Sequence, residues 1–355
     1  PNVGKSTLFN ALTQSNKAEA ANYPFATIEP NIGRVAVPDD RLDKLAIIGK
    51  SEKIIPSFMD FVDIAGLVKG ASKGEGLGNK FLGHVKEVDA IAHVVRCFED
   101  NNITHVSPKI DPLNDIETIN IELQLADLES LNNKKNNLEK KIKTQDKDIK
   151  LQYEIVIEIL NSIEKIDKII IDNFISEIDF INSLNLISLK PIMYVCNVEE
   201  ASILSGNELS SKVEKLAKQN NNTSVIVSAA IEAQIAELDS ENEKIEYLNE
   251  LGLNETTLNK VIKSGYELLD LINYFTSGPK ETRSWTITKN TLAPKAAGKI
   301  HSDFEKGFIR AETVSYDDYI KNNGDAGSRE AGKLRQEGKD YIVKNGDVMH
   351  FLFNV

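Results

Sequence analysis

Pro1-Asn2-Val3-Gly4-Lys5-Ser6-Thr7 begins the chain, and Asp63-Ile64-Ala65-Gly66 follows the apolar run Phe58–Val62. Gly4-Lys5-Ser6 ends the pattern G-x-x-x-x-G-K-[ST], a loop that hangs between a strand and a helix and wraps phosphate. Glycine lets backbone N–H groups crowd the phosphates, Lys5 supplies charge to the β and γ oxygens, and the Ser6 hydroxyl suits Mg²⁺. The helix that starts here adds the positive end of its dipole. Asn2, Val3, Gly4, Lys5, Ser6 and Thr7 are therefore the expected phosphate-binding set. The pattern's first glycine and its strand are not in the sequence, so the native protein is expected to begin roughly ten residues earlier.

The second motif narrows the class of site. An Asp at a strand end can hold the water shell of Mg²⁺, and the N–H of Gly66 can sense a γ-phosphate. Between the two motifs lies Asn22-Tyr23-Pro24-Phe25-Ala26-Thr27, a loop whose Thr27 can complete the Mg²⁺ shell. The expected metal ligands are Ser6, Thr27 and Asp63, the last through water. Phosphate loop, threonine loop and D-x-x-G in this order lay out a nucleotide switch.

Working outward, short apolar runs bounded by turn residues predict strands at Phe58–Val62, Ile91–Phe98, Ile192–Cys196 and Ser224–Ser228, with helices between them as in a parallel α/β sheet. From Ile116 to Leu189 glycine is absent. Apolar residues there recur at helical spacing: Ile121, Leu125, Leu128, Leu138 and Ile142, then Ile155, Ile159, Ile163, Ile166 and Ile170. Two long helices packed as a hairpin explain the pattern, with the polar stretch Lys143 to Lys150 as its tip. Trp285–Ile287 and Val348–Phe353 predict strands of a separate α+β module near the end. The boundaries that follow are 1–118 and 190–269 for the α/β domain, 119–189 for a helical coiled-coil insertion, and 270–355 for the last module.

With 355 residues, 41% of them hydrophobic, the chain can build more than one core. Cys97 and Cys196 sit in apolar runs and read as buried free thiols, which fits a reducing, cytoplasmic setting. No apolar run reaches the ~20 residues of a membrane helix. A net charge of −12 argues against general coating of nucleic acid. One place runs against that charge: Lys134, Lys135, Lys140, Lys141, Lys143, Lys147 and Lys150 gather at the expected hairpin tip. They are either a solvated helix face or a contact for RNA phosphates.

Asn22–Asn31 and Asp63–Ala71 resemble the two switch signatures of the Obg family of P-loop GTPases, and most closely its Obg-like ATPase, or YchF, subfamily. Gly298–Ala311 resembles that family's TGS domain, so the resemblance covers nearly the whole chain and is weakest in the helical hairpin. It implies a Ras-like P-loop domain, an inserted helical hairpin and a C-terminal TGS domain of the β-grasp type. It also implies ribosome association, through the basic tip Lys134–Lys150 and the TGS domain.

The base reader departs from the GTPase pattern. GTPases read guanine with N-K-x-D, whose aspartate accepts from the guanine N1–H and amino group. Here the strand Ile192–Cys196 is followed by Asn197-Val198-Glu199-Glu200. A site built to hydrogen-bond a donor can reject a base that lacks it by ~10⁴ or more in favourable cases, so losing that reader removes the preference for guanine. The N-x-x-E form goes with ATP in the family, which implies adenine contacts at Asn197, Val198 and Glu200, with Ser228 and Ala229 lining the base pocket. Leu67 stands where Ras-like enzymes carry a water-orienting glutamine. The family's replacement is a loop histidine, matched by His105 in Asn101–Val106, which is either that group or a surface histidine. Asn2 either holds K⁺ beside the phosphates or braces the loop. A sloppier guanine reader, or a self-contained metabolic ATPase or kinase, are the other readings, although no acceptor site for a kinase is visible.

Overall fold

The computed structural model describes residues 2–15, 32–64, 77–100, 110–142, 146–164 and 176–354. Its strands are β1 Ile32–Ala36, β2 Ile54–Ile55, β3 Phe58–Val62, β4 Ile91–Arg96, β5 Ile192–Asn197, β6 Thr223–Val227, β7 Leu271–Ser277, β8 Thr282–Thr288, β9 Phe308–Ser315, β10 Arg335–Glu337 and β11 Asp347–Phe353. They fall into two compact units, one of residues 1–5 and 62–227, the other of 6–61 and 228–355.

In the first unit β4, β5 and β6 form a parallel sheet in that order. Parallel neighbours need long crossovers, and here helical segments supply them. The register pairs Ile91 with Ile192 and ends with Arg96 opposite Asn197 and Asn197 opposite Val227. Three strand ends therefore stop at one level. One face of the sheet buries Val95, Cys97, Tyr194, Cys196 and Val198 against Val213 and Ala217 of the helix Glu208–Gln219.

The glycine-free stretch forms the helices Pro112–Ile142 and Lys147–Glu164. Leu131 and Leu138 of the first pack with Ile155, Val156, Ile159, Leu160 and Ile163 of the second. Each such side chain contributes roughly 1.5–3 kcal/mol by leaving water. The first helix starts earlier than the expected 118/119 boundary. The Asp111 carboxylate accepts from the N–H groups of Leu113 (3.2 Å) and Asn114 (3.3 Å), and Pro112 sits in the first turn, where its missing N–H costs nothing. The buried face is also turned by one position: Ile121 is exposed, whereas Leu123, Ala126 and Asp127 are buried. Asp127 decides this. Its carboxylate accepts from the backbone of Ile187 (2.9 Å) and Ser188 (2.7 Å) and from the Ser188 hydroxyl (2.6 Å), stitching the helix to the turn before β5. Ile166, Ile170 and Lys143 lie outside the described residues.

In the second unit β1 pairs with β3, and a six-stranded sheet runs β10-β9-β11-β7-β8-β2. The hairpin β7–β8, the helix Ala293–Ile300, and β11 lying parallel to β7 and antiparallel to β9 make a β-grasp. Tyr274, Ile287, Ala296, Ala297, Phe308 and Phe351 fill its core. The sheet is not confined to the separate segment 270–355 that the sequence suggests. β2 extends it beside β8, and Leu42 and Leu45 of the helix Arg41–Gly49 pack on Phe275, Val314 and Val348. Ser57 ties in behind them, its hydroxyl 2.9 Å from that of Ser284 and 3.2 Å from Asn273 Oδ1. A two-residue strand carries no periodicity, so these contacts left no sign in the sequence.

Candidate nucleotide site

The phosphate loop has the backbone its glycine demands. Gly4 lies at φ 92° and Asn2 at φ 60°, and asparagine is among the few side chains that tolerate this region. Left-handed residues at alternate positions turn successive N–H groups to one side, the geometry of an anion nest. Lys5 begins the helix Lys5–Ser15, whose Leu8, Ala11 and Leu12 are buried while Ser6 and Thr7 are exposed in its first turn. The Lys5 ammonium forms an ion pair with the carboxylate of Asp63, just past β3. The group assigned to phosphate and the group assigned to magnesium thus meet at one point. Both stay partly open, at 31% and 22% side-chain exposure.

The stretch Asn197–Glu200, expected to read the base, leaves the C-terminal edge of the parallel strands, where open α/β sheets bind ligands. Asn197 ends β5, and its side-chain N–H donates to the Val3 carbonyl at 2.9 Å. One side chain therefore connects the end of β5 to the phosphate loop. Val198 departs from the expected role. Its N–H donates to the Val227 carbonyl at 2.9 Å, and its side chain, 3% exposed, joins the core beside Cys97 and Cys196. It continues the inward alternation of Tyr194 and Cys196, so it is core and not a platform for a base.

The two glutamates differ. Glu199 accepts from the Ser202 hydroxyl and from Asn207 Nδ2 at 2.9 and 3.2 Å. Burial works against its charge, but hydrogen bonds from Ser202, its own backbone and Asn207 win and hold the carboxyl below its usual range. Glu200 opens the short 3-10 turn Glu200–Ser202 and is exposed. Ser228 follows β6 and starts the helix Ala229–Glu237. Its hydroxyl, on a residue 1% exposed, has no hydrogen-bond partner among the described residues. A buried hydroxyl left so costs about 1–3 kcal/mol, which fits a position that meets a ligand. Ala229 beside it is also buried.

Thr27, Gly66, Leu67 and His105 lie outside the described residues. His93 of β4 packs 5.8 Å from the Tyr194 ring on the neighbouring strand, and burial pulls its pKa down to about 4. Cys97 and Cys196 are buried free thiols, and the neighbouring Cys196, with burial, pushes the Cys97 thiol far up. The sequence reading missed two residues. Arg96 is fully buried at the end of β4, its guanidinium bonded to the carbonyls of Phe98 and Asp100 and stacked 4.6 Å from the Phe98 ring. A lone charge inside the run Val94-Val95-Arg96-Cys97-Phe98 was the available signal. Asn207, discussed below, gave none.

A nest-like loop, a lysine–aspartate pair and a buried asparagine at parallel strand ends define a P-loop nucleoside triphosphatase. Residues 1–134 match the family model described as 50S ribosome-binding GTPase, and residues 271–354 match the YchF-GTPase_C model, described as a protein of unknown function. The ribosome-binding ATPase YchF of Haemophilus ducreyi is 56% identical over 358 residues, covering 100% of this chain and 97% of that protein. That of Escherichia coli O157:H7 is 54% identical over 356 residues, with the same coverage. The structure of the Schizosaccharomyces pombe YchF GTPase superimposes with a TM-score of 0.86 at 39% identity, over 99% of this chain and 95% of that one. The chain belongs to the YchF family.

Proposed function

We propose that the protein binds and hydrolyses ATP as a ribosome-associated switch. One observation carries the choice of base: the reader is Asn197-Val198-Glu199-Glu200, with Val198 in the core and Glu199 held by Ser202 and Asn207. Neither the lysine nor the aspartate that guanine needs is present. Asn197, Glu200, Ser228 and Ala229 are the base-side residues of this reading. The names of relatives divide, ATPase for the bacterial proteins and GTPase for the yeast one, so GTP is the second reading. Calorimetry on the full chain separates them: ATP is expected to bind more tightly than GTP, and equal or better GTP affinity defeats the proposal.

The donors suit Mg²⁺, a hard cation that keeps several waters and takes few protein oxygens. Asp63 would act through water, Ser6 and Thr27 directly, and the ion would neutralise charge on the β and γ oxygens. The N–H of Gly66 would meet the γ-phosphate. With Leu67 unable to orient water, His105 is assigned that role, and K⁺ at Asn2 is the rival source of activation. His105→Ala is expected to lower ATP hydrolysis by ~10²-fold with little change in affinity. The unmutated rate, with and without ribosomes, would move the role to K⁺ or to a partner.

Ribosome contact rests on the relatives' names and on the hairpin. Lys140, Lys141, Lys147 and Lys150 are exposed near its tip, on a chain of net charge −12. Lys134 stacks 5.4 Å from the Phe180 ring, so that lysine is held at the surface and is not a freely solvated arm. Clustered ammonium groups gain affinity for RNA by releasing its counterions. The TGS domain, residues 270–355 by the domain boundaries proposed here, is the second assigned contact. No helix among the described residues is long and apolar enough to cross a membrane, and a cytoplasmic place fits this reading.

A further inference from the structure

We propose that Asn207 is a positioning residue for base selection: its side chain clamps Glu199 and so fixes the turn that presents Glu200. The inference rests on the reading of Asn197–Glu200 as the base reader.

The Asn207 amide is engaged at both its oxygen and its nitrogen. Oδ1 accepts from the Ser210 N–H at 2.9 Å, capping the helix Glu208–Gln219. Nδ2 donates to the Cys97 carbonyl at 2.6 Å and to Glu199 Oε2 at 2.9 Å. One side chain thus joins three elements: the end of β4, the base-reading turn, and the helix that backs the sheet. The turn itself is short and tight. Ser202 N–H bonds the Glu199 carbonyl at 3.0 Å, Ile203 N–H the Glu200 carbonyl at 3.2 Å, and Gly206 N–H the Ser202 carbonyl at 2.8 Å.

Gly206 delivers Asn207 to its place. It lies at φ 72°, and a Cβ there would meet Ser210 Oγ at 2.6 Å and Ile226 Cδ1 at 2.8 Å. The cap is reciprocal, with Ser210 Oγ accepting from the Asn207 N–H at 2.8 Å. Glu199 is thereby tied by its carboxylate to the helix cap, while the next residue, Glu200, opens the 3-10 turn; both acids are exposed.

The test exploits the chemistry of the amide. Asn207→Asp keeps an acceptor for Ser210 and remains a good cap, but it removes both donors and sets carboxylate against carboxylate. Binding of ATP, GTP and inorganic tripolyphosphate is measured by calorimetry on the full chain with Mg²⁺. Asn207→Asp is expected to weaken ATP about tenfold, the scale of a lost charge-assisted hydrogen bond, and to leave tripolyphosphate unchanged. The double variant Asn207→Asp/Glu199→Gln restores a donor–acceptor pair in reverse and is expected to recover ATP affinity to within about twofold. Glu199→Ala leaves the cap untouched and is expected to behave as Asn207→Asp does. Equal loss for ATP and tripolyphosphate, or unchanged ATP affinity, would overturn the proposal. Glu200→Ala tells the two readings apart. If it leaves the ATP:GTP ratio alone, the base reader itself is misassigned. If it moves the ratio while Asn207→Asp and Glu199→Ala do not, only the clamp fails.

Discussion

Lys5→Ala is expected to lower ATP turnover by about 10³-fold or more while leaving the thermal midpoint nearly unchanged. Removing one fixed donor from a developing oxyanion typically costs ~10²–10³-fold. Lys5 carries a full charge, so its loss sits at the upper end of that range. The cost to the fold is small for a separate reason. Asp63, with which Lys5 pairs, is itself partly exposed, and such ion pairs contribute only about 0–1 kcal/mol. Loss of Lys5 also leaves Asp63 without its ion pair beside the phosphate loop, where it would repel ATP lacking Mg²⁺. The defect should therefore deepen when magnesium is limiting. Steady-state turnover at saturating ATP, beside a melting curve, checks both halves. Full turnover in the variant would remove Lys5 from the site.

The second large effect concerns the obvious route to a GTPase. Restoring the guanine pattern would place lysine at 198, and by sequence alone Val198→Lys looks like a change of specificity. The structure makes it a change of stability. Val198 is 3% exposed and packs with Val95, Cys97, Tyr194 and Val213, side chains that offer no carboxylate to an ammonium. An uncompensated buried charge costs about 3–5 kcal/mol, a large share of the ~5–15 kcal/mol that holds a typical domain together. Urea unfolding should show a midpoint shift of that size, or the variant should accumulate insoluble. Glu200→Asp, at an exposed position, should stay within ~0.5 kcal/mol and is the cleaner probe of the base. A Val198→Lys protein with unchanged stability would mean that this side chain faces the nucleotide after all.

That contrast marks how far the sequence reaches. Gly4-Lys5-Ser6 and Asp63 are legible because their chemistry lies in contiguous motifs, each requiring particular residue types for phosphate or magnesium. Strands such as Ile192–Asn197 and Thr223–Val227 are legible because apolar, β-branched runs end at turn residues. The helical stretch is legible because periodicity at 3.6 residues survives without knowledge of what it packs against. Its start is a local signal as well, written in Asp111-Pro112.

Other features have no local signature. Whether Val198, Glu199 or Glu200 points inward depends on the register of β5 against β4 and β6 and on where Asn207, eight residues beyond Glu199, arrives. The face of the long helix is set by a carboxylate, Asp127, that hydropathy assigns to water and that two distant N–H groups draw into the interior. The segment Arg41–Ser57 joins the β-grasp through a two-residue strand and a stacked arginine, Arg41 lying 4.8 Å over Phe275. The sequence by itself determined the class of site and the elements that carry it, since motif and periodicity are properties of neighbours in the chain. Only the tertiary structure decided which side chains face the site and which are consumed in holding it, because that choice belongs to buried hydrogen bonds and packing between residues far apart in sequence.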